Sequence, residues 1–574
     1  MTAAARLLAI LFSPKNPRHS VNAWCVVCIV CAALLAWAGR HQLNPDGLSY
    51  LDIASRAAAG APGELISGYW SPAYPALIAA VFWIARPSPA WEVPALHLVN
   101  FLVFLFVLWA FRSLVVEVLG LQKRKTLPRD APLIPFAFAT VLCLTVEFLD
   151  PAVVTPDLLA LGCFCIVCKL AWRFTANTSL RRPAAIGLGL AACYYARTAM
   201  FLLALVLLVL FVAAKPRLAI AKATLVCALV WLAATAPLIF LISRKAGHAT
   251  IGEAGTLNYI WYVNHRENTP YIGWNGSFGS ALPLLAHPPR VVASDPLTLE
   301  FASPVGGTFP IWYAPDYWWA GLRPHFDAAN QVLAVKDNLR AYLAMLPWLS
   351  PWICGIAAML FLGRGRRTRR RWSWQIAWSC CALIGFALIH VEGRFVAPFL
   401  LLIWLTLYRA QVRRLSPPVS AFVPAAVTAA LLLIAGEGVS LAAYRTIRDA
   451  VHPRAPESAV IARELQALDL KPGDSLAVVG YAFNAYYARY ARMRIAAQVQ
   501  DETGFWKLSP GAQASLADRL AGAGVKALVA RDRPPSSDTS AWHDVDVPSG
   551  RVSVLLLSAA SHEMTPHRGE SPPR

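Results

Sequence analysis

The feature that most constrains this chain is a recurring run of about twenty mainly apolar residues, repeated from near the N-terminus to about residue 440. In hydrocarbon no water is available to the peptide groups, so such runs must close their own hydrogen bonds as helices. Eleven crossings are expected, near 21–39, 92–119, 131–149, 157–172, 183–197, 198–214, 223–243, 340–362, 374–391, 395–411 and 417–440. The stretch 183–214 is too long for one upright helix, and basic residues flank both its ends, so it is read as two short helices meeting near Arg197. The first run is longer than the apolar core of a signal peptide and is expected to be a retained helix.

Charge orients the chain. The net charge of +20, in a sequence only 15% charged, would suggest an acidic or nucleic-acid partner in a soluble protein. Here 22 basic residues face one acid, Asp130, on the side that holds the N-terminus, including the run GRGRRTRRRW at 363–372. The loop 244–340 on the other side balances seven bases with seven acids. Basic residues therefore mark the cytoplasmic loops of an inner-membrane protein, and no nucleic-acid partner is implied. All 12 cysteines fall inside the expected crossings, and the Cys25/Cys28 and Cys165/Cys168 spacings lack companion ligands, so neither a disulfide framework nor a zinc site is expected.

With eleven crossings, the tail lies outside the cytoplasm. The expected organisation is a membrane domain over 1–443 with outer loops 40–91 and 244–340, a small extracytoplasmic α/β domain over 444–562, and a disordered end at 563–574. Short apolar runs at 475–480, 526–531 and 551–558 read as strands of that domain, and the absence of a G-x-G-x-x-G pattern argues against a nucleotide site.

Four outer segments carry ionisable groups that are costly near a bilayer. They are NPDGLSYLDIA with Asp46 and Tyr50, EFLDPAVVTPDLLALG with Asp150 and Asp157, YYARTAM with Arg197, and HVEGRFVAPF with His390, Glu392 and Arg394. Each has a plain structural explanation: a helix-start acid for Asp46 and Asp157, and a local ion pair for Glu392 and Arg394. Together they also suit a lipid-linked anionic substrate. Arginine can grip a phosphate through paired charge-assisted hydrogen bonds, while a carboxylate takes the proton of an attacking group. Aromatic residues at 258–276 and 308–321 could stack on sugar rings, though membrane edges are rich in Trp and Tyr generally.

At these residues, and at GYWSPAYPALIAAVFWI over 68–84, the sequence resembles the GT-C superfamily of membrane glycosyltransferases, the class of the protein O-mannosyltransferases and the lipid A aminoarabinose transferase. The ordered set spans about 40–411. The resemblance implies a polyprenyl-phosphate sugar donor and a lipid, glycan or protein acceptor. It also implies inverting transfer with Asp46 as base and Asp157, beside Asp150, as the second-loop acid. Residues 68–86 would lie along the membrane surface. Asp46 is followed by Gly47, where the protein mannosyltransferases carry an acidic pair. Tyr50, Asp150, Arg197, His390, Glu392 and Arg394 are the expected substrate-binding residues, and Asp157 could orient the acceptor or help hold a divalent cation, for which no spacing fixes a site. Two other classes are open to such a sequence. A transporter or flippase of lipid-linked glycans would be expected to show internal repeats, and none is found. A non-catalytic scaffold would leave Asp46, Asp157 and Arg394 far apart.

Overall fold

The structure, a computed structural model, describes residues 11–12, 16–121, 130–172, 174, 180–214, 217–264, 285–363, 373–531, 533–534 and 541–557. The basic run 364–372, the bases Lys123 to Arg129, part of the aromatic segment 258–276 and the tail 563–574 lie outside them. The described residues form two units. The first takes in those up to 264 together with 285–286 and 314–454, and the second takes in 287–313 and those from 455 onward.

In the first unit, a helix occupies each expected crossing. They are α1 (Pro17–Ala38), α4 (Pro89–Leu119), α5 (Leu133–Phe148), α6 (Asp157–Trp172), α7 (Arg181–Ala196), α8 (Met200–Ala214), α9 (Leu218–Ala246), α10 (Ala328–Leu362), α11 (Trp374–Ile389), α12 (Gly393–Val412) and α13 (Pro417–Val451). Two further helices, α2 (Pro45–Ala58) and α3 (Ala73–Ala85), lie in the segment between α1 and α4. Six of the described helices are long and apolar enough to cross a bilayer by themselves, and the chain is a multi-pass membrane protein. The break between α7 and α8 falls at Arg197, as the flanking charges predict. Helices approach closely where side chains vanish: a Cβ on Gly187 of α7 would collide with the Cys227 carbonyl of α9.

Two boundaries differ from expectation. Helix α10 begins at Ala328, twelve residues before the apolar run, because Asp327 caps it by accepting from the Asn330 N–H at 3.0 Å. Its 35 residues span about 52 Å, well beyond a hydrocarbon core of about 30 Å. Helix α13 likewise runs to Val451 instead of ending near 440.

The second unit holds a seven-stranded sheet in the order β1-β2-β4-β3-β5-β7-β6. The strands are β1 (Arg290–Ser294), β2 (Leu297–Glu300), β3 (Ser475–Val479), β4 (Arg494–Val499), β5 (Val525–Arg531), β6 (Trp542–Val547) and β7 (Gly550–Leu556). Central β3 runs parallel to β4 and β5, and the remaining pairs are antiparallel. Helices α14 (Glu457–Ala467) and α15 (Pro510–Gly522) accompany it, with Leu516 and Leu520 of α15 in a core with Val479, Val499 and Leu528. The three strands read from sequence are β3, β5 and β7. The division between 443 and 444, however, does not describe the unit, which recruits β1 and β2 from inside the 244–340 loop. Thr298, Leu299 and Glu300 pair with Val499, Gln498 and Ala497, and so cover the edge of β4.

Candidate active site

Asp46 is the second residue of α2. Pro45 pre-sets the first turn, and Asn44 before it is diverted from capping. Its amide instead brackets Val154, accepting from the Val154 N–H at 3.0 Å and donating to its carbonyl at 3.3 Å. That pair ties the start of α2 to the turn before α6, whose first residue is Asp157. The same turn is held from α4: Asn100 donates to the carbonyls of Pro151 (2.9 Å) and Val153 (3.1 Å) and accepts from the Tyr74 hydroxyl at 2.5 Å. His97, one helical turn earlier, contacts the Gln42 carbonyl at 2.8 Å. A buried polar stripe on α4 thus fixes both aspartate-bearing segments.

Arg394, in the first turn of α12, joins three carboxylates. Its Nη1 donates to Asp46 Oδ2 at 3.0 Å and lies 3.8 Å from Asp157 Oδ2, while its Nε donates to Glu392. Arg197 pairs through Nη1 with the other oxygen of Asp157. Asp157 is only 2% exposed, and its Oδ2 makes no hydrogen bond among the described residues. The Phe395 ring lies against both cations, 3.9 Å from the Arg197 guanidinium carbon and 5.1 Å from that of Arg394. Burial, and then the charge of Arg394, lower the Arg197 guanidinium to about 10. At Glu392 burial acts upward, but hydrogen bonds from His390 and Arg394 and the charge of Arg394 outweigh it and hold the carboxyl at about 2. His390 contacts the second Glu392 oxygen at 3.0 Å. The helix-start and local-pair explanations are therefore incomplete: the pair Glu392–Arg394 forms, and Arg394 reaches across to α2 and α6 as well.

Tyr50, one turn beyond Asp46 on α2, is buried against Trp70 and Tyr74 at ring distances of 5.0 and 5.2 Å. Burial and then the Asp46 charge push its ionisation upward, against Arg197 and Arg394. Asp150 stands apart. It closes its own turn by accepting from the Ala152 N–H at 2.8 Å, and Arg445 of α13 is its cationic neighbour. Tyr69 and Tyr262 were not singled out from sequence. Burial and then Asp46 raise the Tyr69 phenol, which also feels Tyr262, Tyr50 and Arg394, and Tyr262 stacks on His390. The segment bearing Tyr69 is anchored at Gly68, whose N–H donates to Asp316 Oδ2 at 2.9 Å and whose carbonyl accepts from the Glu253 N–H at 2.7 Å. Among the described residues no three His, Cys, Asp or Glu side chains converge as a metal site. The carboxylates that do meet are threaded with guanidinium groups, a donor set poorly matched to a hard divalent cation.

The opposite end of α12 is pinned in the same way. Arg413 donates to both oxygens of buried Asp130, through Nε at 3.1 and 3.0 Å and through Nη2 at 2.6 Å. Arg394 and Arg413 are separated by about 28 Å of helix, so α12 carries an arginine–carboxylate fixture near each end.

No family model matches the chain, and no curated protein matches it in sequence. Among solved structures it is similar to ArnT from Cupriavidus metallidurans in the apo state, with a TM-score of 0.53 and 13% identity over 93% of this chain and 98% of that one. The same protein bound to undecaprenyl phosphate gives a TM-score of 0.54 and 13% identity over 94% and 98%. The fold of this chain is like that of ArnT.

Proposed function

We propose that this protein is an inverting GT-C-type glycosyltransferase, moving a sugar from a polyprenyl phosphate to a lipid, glycan or protein acceptor. The observation that carries this reading is the meeting of Asp46, Asp157, Arg197, Glu392 and Arg394 from four separate segments at one end of the helices. A scaffold has no need to gather two guanidinium groups and three carboxylates there. The ArnT structure with undecaprenyl phosphate supports the choice of carrier. The positive-inside pattern supports a site, and a C-terminal domain, on the extracytoplasmic face of the inner membrane.

Arginine recognises phosphate and carboxylate with the same fork of N–H groups. An arriving phosphodiester therefore exchanges for carboxylate on Arg394 and Arg197, and Asp46 is released to act. The acceptor heteroatom attacks the anomeric carbon as the bond from that carbon to the phosphate oxygen breaks. The acceptor proton passes to the Asp46 carboxylate, and the polyprenyl phosphate leaves held by the arginines. Glu392, ionised throughout, keeps Arg394 in place while its other partners change.

The test is to offer the purified protein a radiolabelled lipid-linked sugar with membrane extract as acceptor. Label leaving the carrier in wild type but not in Asp46→Asn is expected. Label that remains on its carrier and only changes membrane leaflet would overturn the reading in favour of a flippase.

A further inference from the structure

The three residues 390–392 between α11 and α12 decide where Glu392, and so Arg394, can stand. This stretch and the end of α11 before it are held from α10. Asn338 accepts from the Val391 N–H at 3.0 Å and donates to the Ala387 carbonyl at 2.9 Å, and Gln331 donates to the Leu388 carbonyl at 2.7 Å. These two residues belong to the polar start of α10 that precedes its apolar run.

The Glu392 side chain needs a separate restraint, since its rotatable bonds would let the carboxylate leave Arg394. His390 provides one through its 3.0 Å contact with Oε1. The imidazole in turn lies flat against Tyr262, with ring centres 3.7 Å apart and planes inclined by 4°. Phe395 closes its edge at 6.1 Å. The segment carrying Tyr262 is joined to the same brace, because the Tyr259 hydroxyl donates to Gln331 Oε1 at 3.0 Å.

We propose that His390 and Tyr262 are positioning residues: the stacked pair holds Glu392 on Arg394 and so keeps the guanidinium oriented for the lipid phosphate. This rests on the glycosyltransferase reading above. The sequence offers Tyr262 only as one aromatic among many in its segment. The stack makes it specific, and it links that segment to the group that grips the donor.

The experiment uses the full-length protein in detergent with undecaprenyl phosphate as the probe, followed by steady-state turnover of the lipid-linked sugar. Tyr262→Ala and His390→Ala are expected to weaken undecaprenyl phosphate binding by about tenfold, the scale of one hydrogen bond to a charged group. Donor KM rises correspondingly, and kcat changes by less than about threefold. Tyr262→Phe restores binding to within about twofold because the stack requires the ring and not the hydroxyl, whereas Tyr262→Leu does not. Should an alanine variant fail to fold, the Phe and Leu variants make the same comparison at similar bulk. Equal rescue by Leu and Phe would reduce the pair to packing and overturn the proposal, as would wild-type binding in Tyr262→Leu. Wild-type binding in Arg394→Ala would instead remove the phosphate site itself, and the inference with it.

Discussion

Replacing Glu392 by Gln tests the electrostatics of the cluster directly. The amide keeps the shape and one hydrogen-bonding oxygen but deletes the charge that faces Arg394 and His390. In the folded protein the carboxyl is lowered from 4.5 to about 2. At about 1.4 kcal/mol per unit this corresponds to roughly 3 kcal/mol favouring the ionised form. The side chain is 32% exposed, so solvent screening reduces the expected contribution to about 1–2 kcal/mol. The sign follows from linkage. A carboxyl lowered on folding stabilises fully above its unfolded value, here 4.5, and that stability is lost as the pH falls through about 2. Thermal unfolding of wild type and Glu392→Gln in the same detergent should therefore differ by a few degrees at about pH 7.5, and the gap should shrink by more than half at about pH 3. Donor KM at neutral pH should rise severalfold in the variant. A stability gap of the same size at both pH values, or none at neutral pH, would refute the claim that Glu392 is held ionised by its partners.

Four further outcomes follow from the same geometry. Asp46→Asn should lose at least about a hundredfold in turnover with its melting temperature kept within a few degrees, as measured by label transfer and thermal unfolding. Asn100→Ala removes the partner of the Tyr74 hydroxyl and of two carbonyls in the turn before α6, and should destabilise the protein by about 2–3 kcal/mol in a thermal or denaturant assay. Arg413→Ala leaves buried Asp130 with Arg409, 3.6 Å away, in place of its closer partner and should cost about 1–3 kcal/mol, and adding Asp130→Asn should recover part of that loss, read as a double-mutant cycle. Gly68→Ala places a methyl group 2.9 Å from Asp316 Oδ2 and 3.1 Å from Glu253 Cγ, so faster limited proteolysis around 66–71 is expected.

Much of the membrane unit is legible in the sequence because hydropathy and helix length are governed by the same solvent. The α7–α8 break is readable from flanking charge, and the groups that meet as Asp46, Asp157, Arg197 and Arg394 are four of the ionisable residues that stand out at helix ends. The early start of α10 is not readable, because AANQVLAVKDN is polar where it leaves the apolar run, and hydropathy sees only the part that suits lipid. Asp150 and Asp157 share one outer segment, yet Pro151 and Ala152 fold Asp150 into a local turn, a distinction that only backbone geometry makes. Tyr69 and Tyr262 were hidden among aromatics expected at any membrane edge. The strands β1 and β2 were hidden for another reason: RVVAS and LTLE are short, and what makes them strands is a partner far along the chain.

That distant partnership sets a timetable for biogenesis. Glu300 pairs with Ala497, so at a synthesis rate of about 5–20 residues per second the hairpin emerges roughly 10–40 s before its neighbouring strand exists. During that interval β2 presents an unpaired edge of the kind that recruits other chains. A gene fragment starting at 455 inherits the complementary fault, since β4 then lacks the strand that covers it. The β2 edge is covered only once β4 has been made, which makes quality control of this sheet a check on the loop 244–340 as much as on the strands from 475 onward.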